Sequence, residues 1–564
     1  MRRWKIAAGL ALAGTAALGY VAARGVGRRV TREVERAATA AGVSARQVRF
    51  SWLGPLHLEG VTVRAGAGTA VSAEAVDVEW RLLGGSDPRA HLAGIAGHGV
   101  RVQRGPLAID VPAVVFAVES WEAHEGEERL RLRQRGQGGT VEAHLSRAPG
   151  ARTARLALDG VDLSAARVLW DGEAVLAPGR WSGEVSLHSG GDAARTEGTL
   201  SLRAARVSLS QALGGDATAP GEPTDVAITW SARRKGDVVE IERAEARLAG
   251  LRVEARGRAT GTAAQGRVEA ELAAEAELGG VLRSAGLRLP APIDASASAR
   301  LGTAWFDVSV RGPLGDPQSL RIVPHLRFEA APAALEALKF LQRPFRYAPR
   351  QAAGTRIDAS MAAADFVPLG DVPALFVRML LLSEDAGFFG HPGIDVAEIP
   401  VAWATNAEQG GFARGASTIT QQLARNLFLS RDKSYARKAQ EAALALMMDA
   451  AVPKARILEI YLNVIEWGPG LYGLGPASRH YFGKDPSQLT TKEMAFLVCL
   501  IPSPVRYHSA HSAGRVGPGM DELMHNLLAK MYEAGAIAEE ECLRASEEEL
   551  AFTPEEGGAA PTQG

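Results

Sequence analysis

Between about residue 43 and residue 330, apolar side chains recur at every second position; from about residue 366 they recur at every third or fourth. The first period belongs to strands with one buried face and the second to helices with one buried stripe. A chain that carries the two periods in separate blocks folds as separate domains, and a length of 564 residues allows two to four of them. In the alternating block Gly, Pro and Asp punctuate short runs such as Leu56–Val63, Val71–Trp80, Ala154–Leu163, Thr199–Leu209, Val238–Leu248 and Gly266–Leu278. Many strands at regular spacing predict an extended antiparallel sheet, a sandwich or a groove. Ala and Arg often stand where Val and Ile would be expected, which weakens the pattern of any single strand.

The first residues carry a different signal. Met1-Arg2-Arg3-Trp4-Lys5 precedes an uncharged apolar run from Ile6 to Ala23, followed by Arg24, Arg28, Arg29 and Arg32. Such a run is just long enough to span a bilayer as a helix. It reads as an uncleaved signal-anchor over 1–29, and the small residues Val21-Ala22-Ala23 supply the competing reading of a cleaved signal peptide. Either reading exports the remainder. A net charge of −1 gives no global basic field for nucleic acid. Two cysteines, Cys499 and Cys542, do not make a disulfide framework, and Cys499 lies in the apolar run 494–501 as a core residue would.

The helical block concentrates the chemistry. It runs Glu384-Asp385-Ala-Gly-Phe388-Phe389-Gly-His391-Pro-Gly393, then Gly415-Ala-Ser417-Thr418-Ile-Thr420-Gln421-Gln422, then Arg437-Lys438-Ala-Gln-Glu441. Ile457-Leu458-Glu459-Ile-Tyr461-Leu-Asn463 and Tyr481-Phe482-Gly483-Lys484 follow. Helices are expected over 375–383, 435–449, 455–466 and 492–501. Glu441 follows Lys438 by three residues and Arg437 by four, which puts the three on one helix face. Two acids in separate motifs, with cations, hydroxyls and amides between them, suit transfer of a sugar away from a phosphate leaving group.

These five blocks, in this order, resemble the peptidoglycan glycosyltransferase domain of glycosyltransferase family 51, and Glu466-Trp467-Gly468-Pro469-Gly470 looks most like its monofunctional members. The resemblance runs from Phe366 to Ala545. It implies a mostly α, lysozyme-like fold that polymerises lipid II. The 4-hydroxyl of an acceptor GlcNAc is joined to C1 of a donor MurNAc, and undecaprenyl pyrophosphate leaves. It further implies Glu384 as general base and Glu441 as the donor-side acid, with Asp385 orienting the loop and Phe388, Phe389 and His391 packing it. Arg425, Lys433, Arg437 and Lys438 would then receive the pyrophosphate, while Ser417, Thr418, Gln421, Gln422 and Asn426 would bond sugar or phosphate. No residue is assigned to a metal and no cofactor is required, with room left for a divalent cation at the pyrophosphate. Arg425 stands where Lys is usual and Lys433 where Arg is common, so the charge is kept. No Lys-Thr-Gly accompanies Ser430-Arg-Asp-Lys433, so no penicillin-binding module is expected.

The opening of the β-rich block, Phe50–Val63, Ala73–Trp80 and Gly97–Pro106, loosely resembles AsmA-like envelope proteins, whose sheets form troughs implicated in lipid handling. The expected order is therefore an anchor (1–29), a β-rich domain (30–331), a connector carrying Arg343, Arg346 and Arg350 (332–365), the glycosyltransferase domain (366–545) and a disordered tail (546–564). The resemblance implies a single-pass inner-membrane protein with its catalytic domain in the periplasm. Its partners would be lipid II, the lipid-linked glycan strand and transpeptidase or other envelope proteins. Two rivals remain: a lysozyme-like lytic enzyme, and a non-catalytic lipid-transport scaffold.

Overall fold

The computed structural model describes residues 43–554 apart from 50–54, 66–68, 81–91, 106, 125–126, 135–138, 163–164, 171–172, 178, 208–222, 263–264, 285–286, 288, 291–292, 294–300, 317–318, 348–356, 360–362, 403–416, 430–434 and 508. The expected anchor, Arg350, Lys433 and the last ten residues lie outside it. No helix among the described residues is long and apolar enough to cross a membrane. Two compact units emerge, one mainly from residues up to Ala276 and the other mainly from Pro324 onward.

The first unit is a long antiparallel meander. Leu56–Ala65, Thr69–Trp80, Leu92–Arg104, Leu107–His124, Glu127–Gln134, Thr140–Ala148 and Ala151–Asp162 each pair with the next. Ala151–Asp162 then pairs with Arg180–Gly190, and pairing continues through Ala193–Val207, Thr224–Lys235, Val238–Leu248 and Leu251–Thr260 to Arg267–Glu277. The intervening strands Arg167–Trp170 and Glu173–Ala177 reach across to residues 107–110 and 206–207.

Register sorts the side chains cleanly. Trp230 faces Ala244, which faces Ala255, which faces Leu272; the next row is Ile228, Ala246, Val253 and Ala274. One face of these four strands is therefore apolar over these rows, until Arg234 meets Val239 near the hairpin end. The other holds ion pairs such as Arg233–Glu240 and Arg256–Glu271, and Glu245 is buried there beneath Arg243, Arg247 and Arg252. Nearer the N-terminal end the apolar residues close into a core around Leu56, Leu58, Val78, Val118 and Leu130. Farther along, Leu187, Val239, Ile241 and Leu272 stay exposed.

The second unit is helical, as expected. Its longer helices among the described residues are α1 (Pro332–Leu338), α2 (Ala374–Glu384), α3 (Ile419–Phe428), α4 (Tyr435–Ala451), α5 (Lys454–Val464), α6 (Leu474–Phe482), α7 (Thr491–Leu500), α8 (Pro518–Glu533) and α9 (Glu539–Glu547). Every residue of α7 is buried, Cys499 included. A helix apolar nearly all round belongs at the centre of its unit, and each fully buried large side chain there contributes roughly 1.5–3 kcal/mol. Phe376, Tyr461, Trp467, Tyr481 and Phe496 complete this core. Both cysteines are free.

Two boundaries are corrected. The start of the expected connector is packed: Ala334, Leu338 and Leu341 are buried, Gln342 donates to the Ala451 carbonyl, and Arg456 Nε donates to the Leu341 carbonyl at 3.0 Å. Its apolar stripe was too short to register as a domain element, yet α4 and α5 supply the rest of its core. The expected tail also begins too early. Phe552 stacks on Phe482 at 5.7 Å between centroids, and the Thr553 amide donates to the Tyr481 carbonyl at 2.9 Å. A lone aromatic in polar text had found an aromatic cluster far away in sequence.

Candidate active site

Helix α2 is anchored by Phe376, Met379 and Leu380, all fully buried, and presents Glu384 as its last residue. Asp385 follows and is buried. Its Oδ2 accepts the Ile419 amide at 2.9 Å, and its Oδ1 shares a hydrogen bond of 2.9 Å with His391 Nε2. Ile419 opens α3, so this carboxylate meets the positive end of a helix. Thr418 caps α3 reciprocally with Gln421: its Oγ1 accepts the Gln421 amide at 3.2 Å, and Gln421 Oε1 accepts the Thr418 amide at 3.0 Å. The Thr418 hydroxyl also donates to the Gly393 carbonyl at 2.6 Å. Gly393 sits at φ +86°, where an added Cβ would lie 2.4 Å from the Ala445 carbonyl oxygen. The loop after α2 is thus pinned between α3 and α4, and it holds Glu384 over the first turn of α3.

At that turn Gln422 Nε2 donates to Glu384 Oε2 at 2.9 Å, and the Tyr461 hydroxyl donates to Gln422 Oε1 at 2.8 Å. Burial raises the pKa of Glu384 above the ordinary Glu value. The hydrogen bonds from Gln422 and Ser383 and the charge of Arg425 oppose the rise, and the charge of Asp385 adds to it. A carboxylate in such surroundings binds a proton more readily, as a general base should.

The second acid, Glu441 on α4, is fully buried. It accepts from Arg437 Nη1 at 2.5 Å and from Lys438 Nζ, and Lys438 also donates to Ser417 Oγ at 2.6 Å. Two cations share one carboxylate beside the start of α3, with Lys438 39% exposed. Charge-assisted donors at a helix N-terminus make a site for an anion. Glu384 therefore meets Gln422 on α3 and feels the charge of Arg425 farther along that helix, while Glu441, Arg437 and Lys438 meet Ser417 just ahead of it.

Thr418 and Gln421, expected to touch substrate, are buried with their polar atoms committed to the helix cap. Asn426 Nδ2 donates to the Gln422 carbonyl at 2.9 Å. The Ile457–Asn463 block is chiefly a clamp. Asn463 Oδ1 accepts the Val367 amide at 2.8 Å, its Nδ2 donates to the Val367 carbonyl at 2.8 Å, and Glu459 Oε1 accepts the Leu369 amide at 3.0 Å. Tyr461, the member of that block that reaches the site, stands in the quoted motif but was given no role from the sequence. The available signal was a hydroxyl in an otherwise apolar stripe, which needs a partner when buried. Among the described residues, Asp385, His391 and Asp395 each bring one potential ligand atom within 4.8 Å of the others. Asp385 already serves His391 and the Ile419 amide, so this group acts as part of the loop clamp.

The transglycosylase family model matches residues 352–528, which include both acids and the whole cation cluster. The biosynthetic peptidoglycan transglycosylase of Nitrobacter winogradskyi is 38% identical over 207 residues, covering 35% of this chain and 89% of that protein. The chain belongs to the transglycosylase family. The corresponding protein of Herminiimonas arsenicoxydans is 40% identical over 162 residues, 29% of this chain and 70% of its own length. That of Nitrosomonas eutropha is 48% identical over 134 residues, 24% of this chain and 54% of its own. A crystal structure of penicillin-binding protein 1A from Haemophilus influenzae aligns with 34% of this chain and 18% of its own at 22% identity and a TM-score of 0.20, too slight a likeness to carry weight. In this transglycosylase the long β meander lies outside the matched residues.

Proposed function

We propose that this transglycosylase polymerises lipid II. Glu384 takes the proton from the 4-hydroxyl of the acceptor GlcNAc, the oxygen attacks C1 of the donor MurNAc, and the C1–oxygen bond to undecaprenyl pyrophosphate breaks. Arg437 and Lys438 receive the charge that grows on the leaving group. The observation that carries this reading is the pairing of a half-buried, proton-avid carboxylate with a cation cluster at the start of one helix. A lytic enzyme needs acids but has no use for that cluster. Each oxygen of Glu441 accepts from one of the two cations Arg437 and Lys438, so a divalent cation at the pyrophosphate would meet a carboxylate already paired on both oxygens. Lipid II is a membrane lipid, so the proposed setting is the periplasmic face of the inner membrane, with residues 6–23 as anchor.

The purified protein, given labelled lipid II in detergent, is expected to form polymer that moenomycin blocks. Cleavage of preformed glycan without polymer would replace this reading with the lytic one, and inactivity of the folded protein would favour the scaffold.

A second role, for the β unit, is favoured by the register of its sheet. The face carrying Val239, Ile241 and Leu272 is apolar in the rows traced above apart from the Trp230 indole, whose N–H already donates to Thr196 Oγ1 at 3.3 Å, and its backbone is already paired. An occupant that needs no polar partner, the aliphatic chain of a membrane lipid, matches that chemistry. A photoreactive aliphatic lipid in vesicles is expected to label this face, and the double variant Ile241→Glu/Leu272→Glu to lose the label. Equal labelling of both proteins would remove the assignment.

A further inference from the structure

We propose that Tyr461 is a positioning residue for the base: its hydroxyl fixes the Gln422 side-chain amide in the one orientation that donates to Glu384 Oε2. The inference rests on the reading of Glu384 as general base. A glutamine amide is nearly symmetric in shape but opposite in polarity at its two ends, and rotation by half a turn exchanges donor for acceptor. Gln422 sits between two neighbours, with Tyr461 at 2.8 Å from its oxygen and Glu384 at 2.9 Å from its nitrogen. Whatever is donated to the oxygen therefore decides what Glu384 meets.

Tyr461 is suited to that task. It is fully buried in α5, beside the equally buried Ile457, Leu458 and Val464 of the same helix. Burial, with the nearby charge of Glu384 adding to it, raises the phenol well above its ordinary pKa, so the hydroxyl keeps its proton and remains a donor. With the Gln422 oxygen taken by that proton, the NH₂ end faces the carboxylate and favours its ionised form, against the burial that disfavours it. Around Glu384, Arg425 on α3 also favours the charge, Asp385 disfavours it, and the Ser383 hydroxyl lies 3.4 Å from Oε1. From α7, the Cys499 thiol, which burial and the charge of Glu384 push up to about 12, stays neutral. Tyr461 and Gln422 are thus the neutral pair by which α5 and α3 set the basicity of a residue on α2.

The test is the pH dependence of lipid II polymerisation by the full chain. Without its hydroxyl, Tyr461→Phe leaves Gln422 free to turn its oxygen toward Glu384, which favours the protonated acid. The acidic limb of kcat is expected to move to higher pH by about one unit, and the alkaline plateau to approach the wild-type value because the base is ionised there. Gln422→Leu should move the limb the same way, and adding Tyr461→Phe to it should move it no further. A limb that stays in place in either single variant overturns the proposal, as does a uniform loss of kcat at every pH, which marks a packing role only. If the wild-type protein makes no polymer, the functional reading fails; if it does and Tyr461→Phe matches it at every pH, only the positioning role fails.

Discussion

Glu384→Gln is expected to reduce lipid II turnover by about 10²–10⁴-fold, the usual contribution of a positioned base. The loss should come without loss of fold. Burial raises the folded-state pKa of Glu384 above the ordinary value of 4.5, so the ionised carboxylate is less favourable in the folded protein than in the unfolded chain. Stability tied to this group is full below the ordinary value and declines as pH rises through the higher, folded value. At neutral pH a neutral glutamine removes that cost, and the variant should melt at the same temperature as wild type or above it. The difference should vanish in acid, below the ordinary Glu range. Calorimetric melting at the two pH values, beside a polymerisation assay, reads both effects. Turnover near wild type would place the base on another residue.

The second large effect is expected at Glu441. Glu441→Gln keeps the volume but removes the charge that Arg437 and Lys438 share in a fully buried position. Breaking one side of a buried ion pair typically costs 3–5 kcal/mol, and partial exposure of Lys438 lowers the expectation here to about 2–4 kcal/mol. The two cations would also lose their common anchor, so kcat/KM for the donor should fall at least about 100-fold, as when a group that stabilises transition-state charge is removed. Urea unfolding and donor kinetics measure the two consequences separately. Unchanged stability would mean that the paired geometry does not hold in solution. Unchanged donor kinetics would put the pyrophosphate elsewhere.

How much of this was legible in the sequence depends on how far apart the partners lie. The strand at Val238–Leu248 coincides with its expected bounds, and helices α2, α4, α5 and α7 differ from expectation only at their ends. Those elements are set by local periodicity. Glu441 with Arg437 and Lys438 was equally readable, because the spacing within one helix fixes the encounter. The base environment was not: Gln422 meets Glu384 across 38 residues and Tyr461 across 39, separations that periodicity does not encode. Thr418 and Gln421 teach a different lesson. Thr-x-x-Gln before an apolar run is itself a capping signature, yet resemblance drew attention to substrate instead. The clamp by Asn463 and Glu459 on residues 367–369 is likewise a contact across some ninety residues, invisible before the fold is known.

Pairing in the β unit is almost entirely between neighbours in sequence, and this makes its length a free variable. Adding or removing one hairpin returns the chain to the same edge in the same direction, with the apolar and charged faces still in phase. The short strands 167–170 and 173–177, which reach back to residues 107–110 and forward to 206–207, lock a particular stretch in place. Beyond them, from Thr224 to Glu277, the sheet behaves as an open array in which each strand answers chiefly to the two beside it. Such a sheet can lengthen or shorten by whole hairpins over evolutionary time, while the helical unit that carries the chemistry keeps every contact that aligns its two acids.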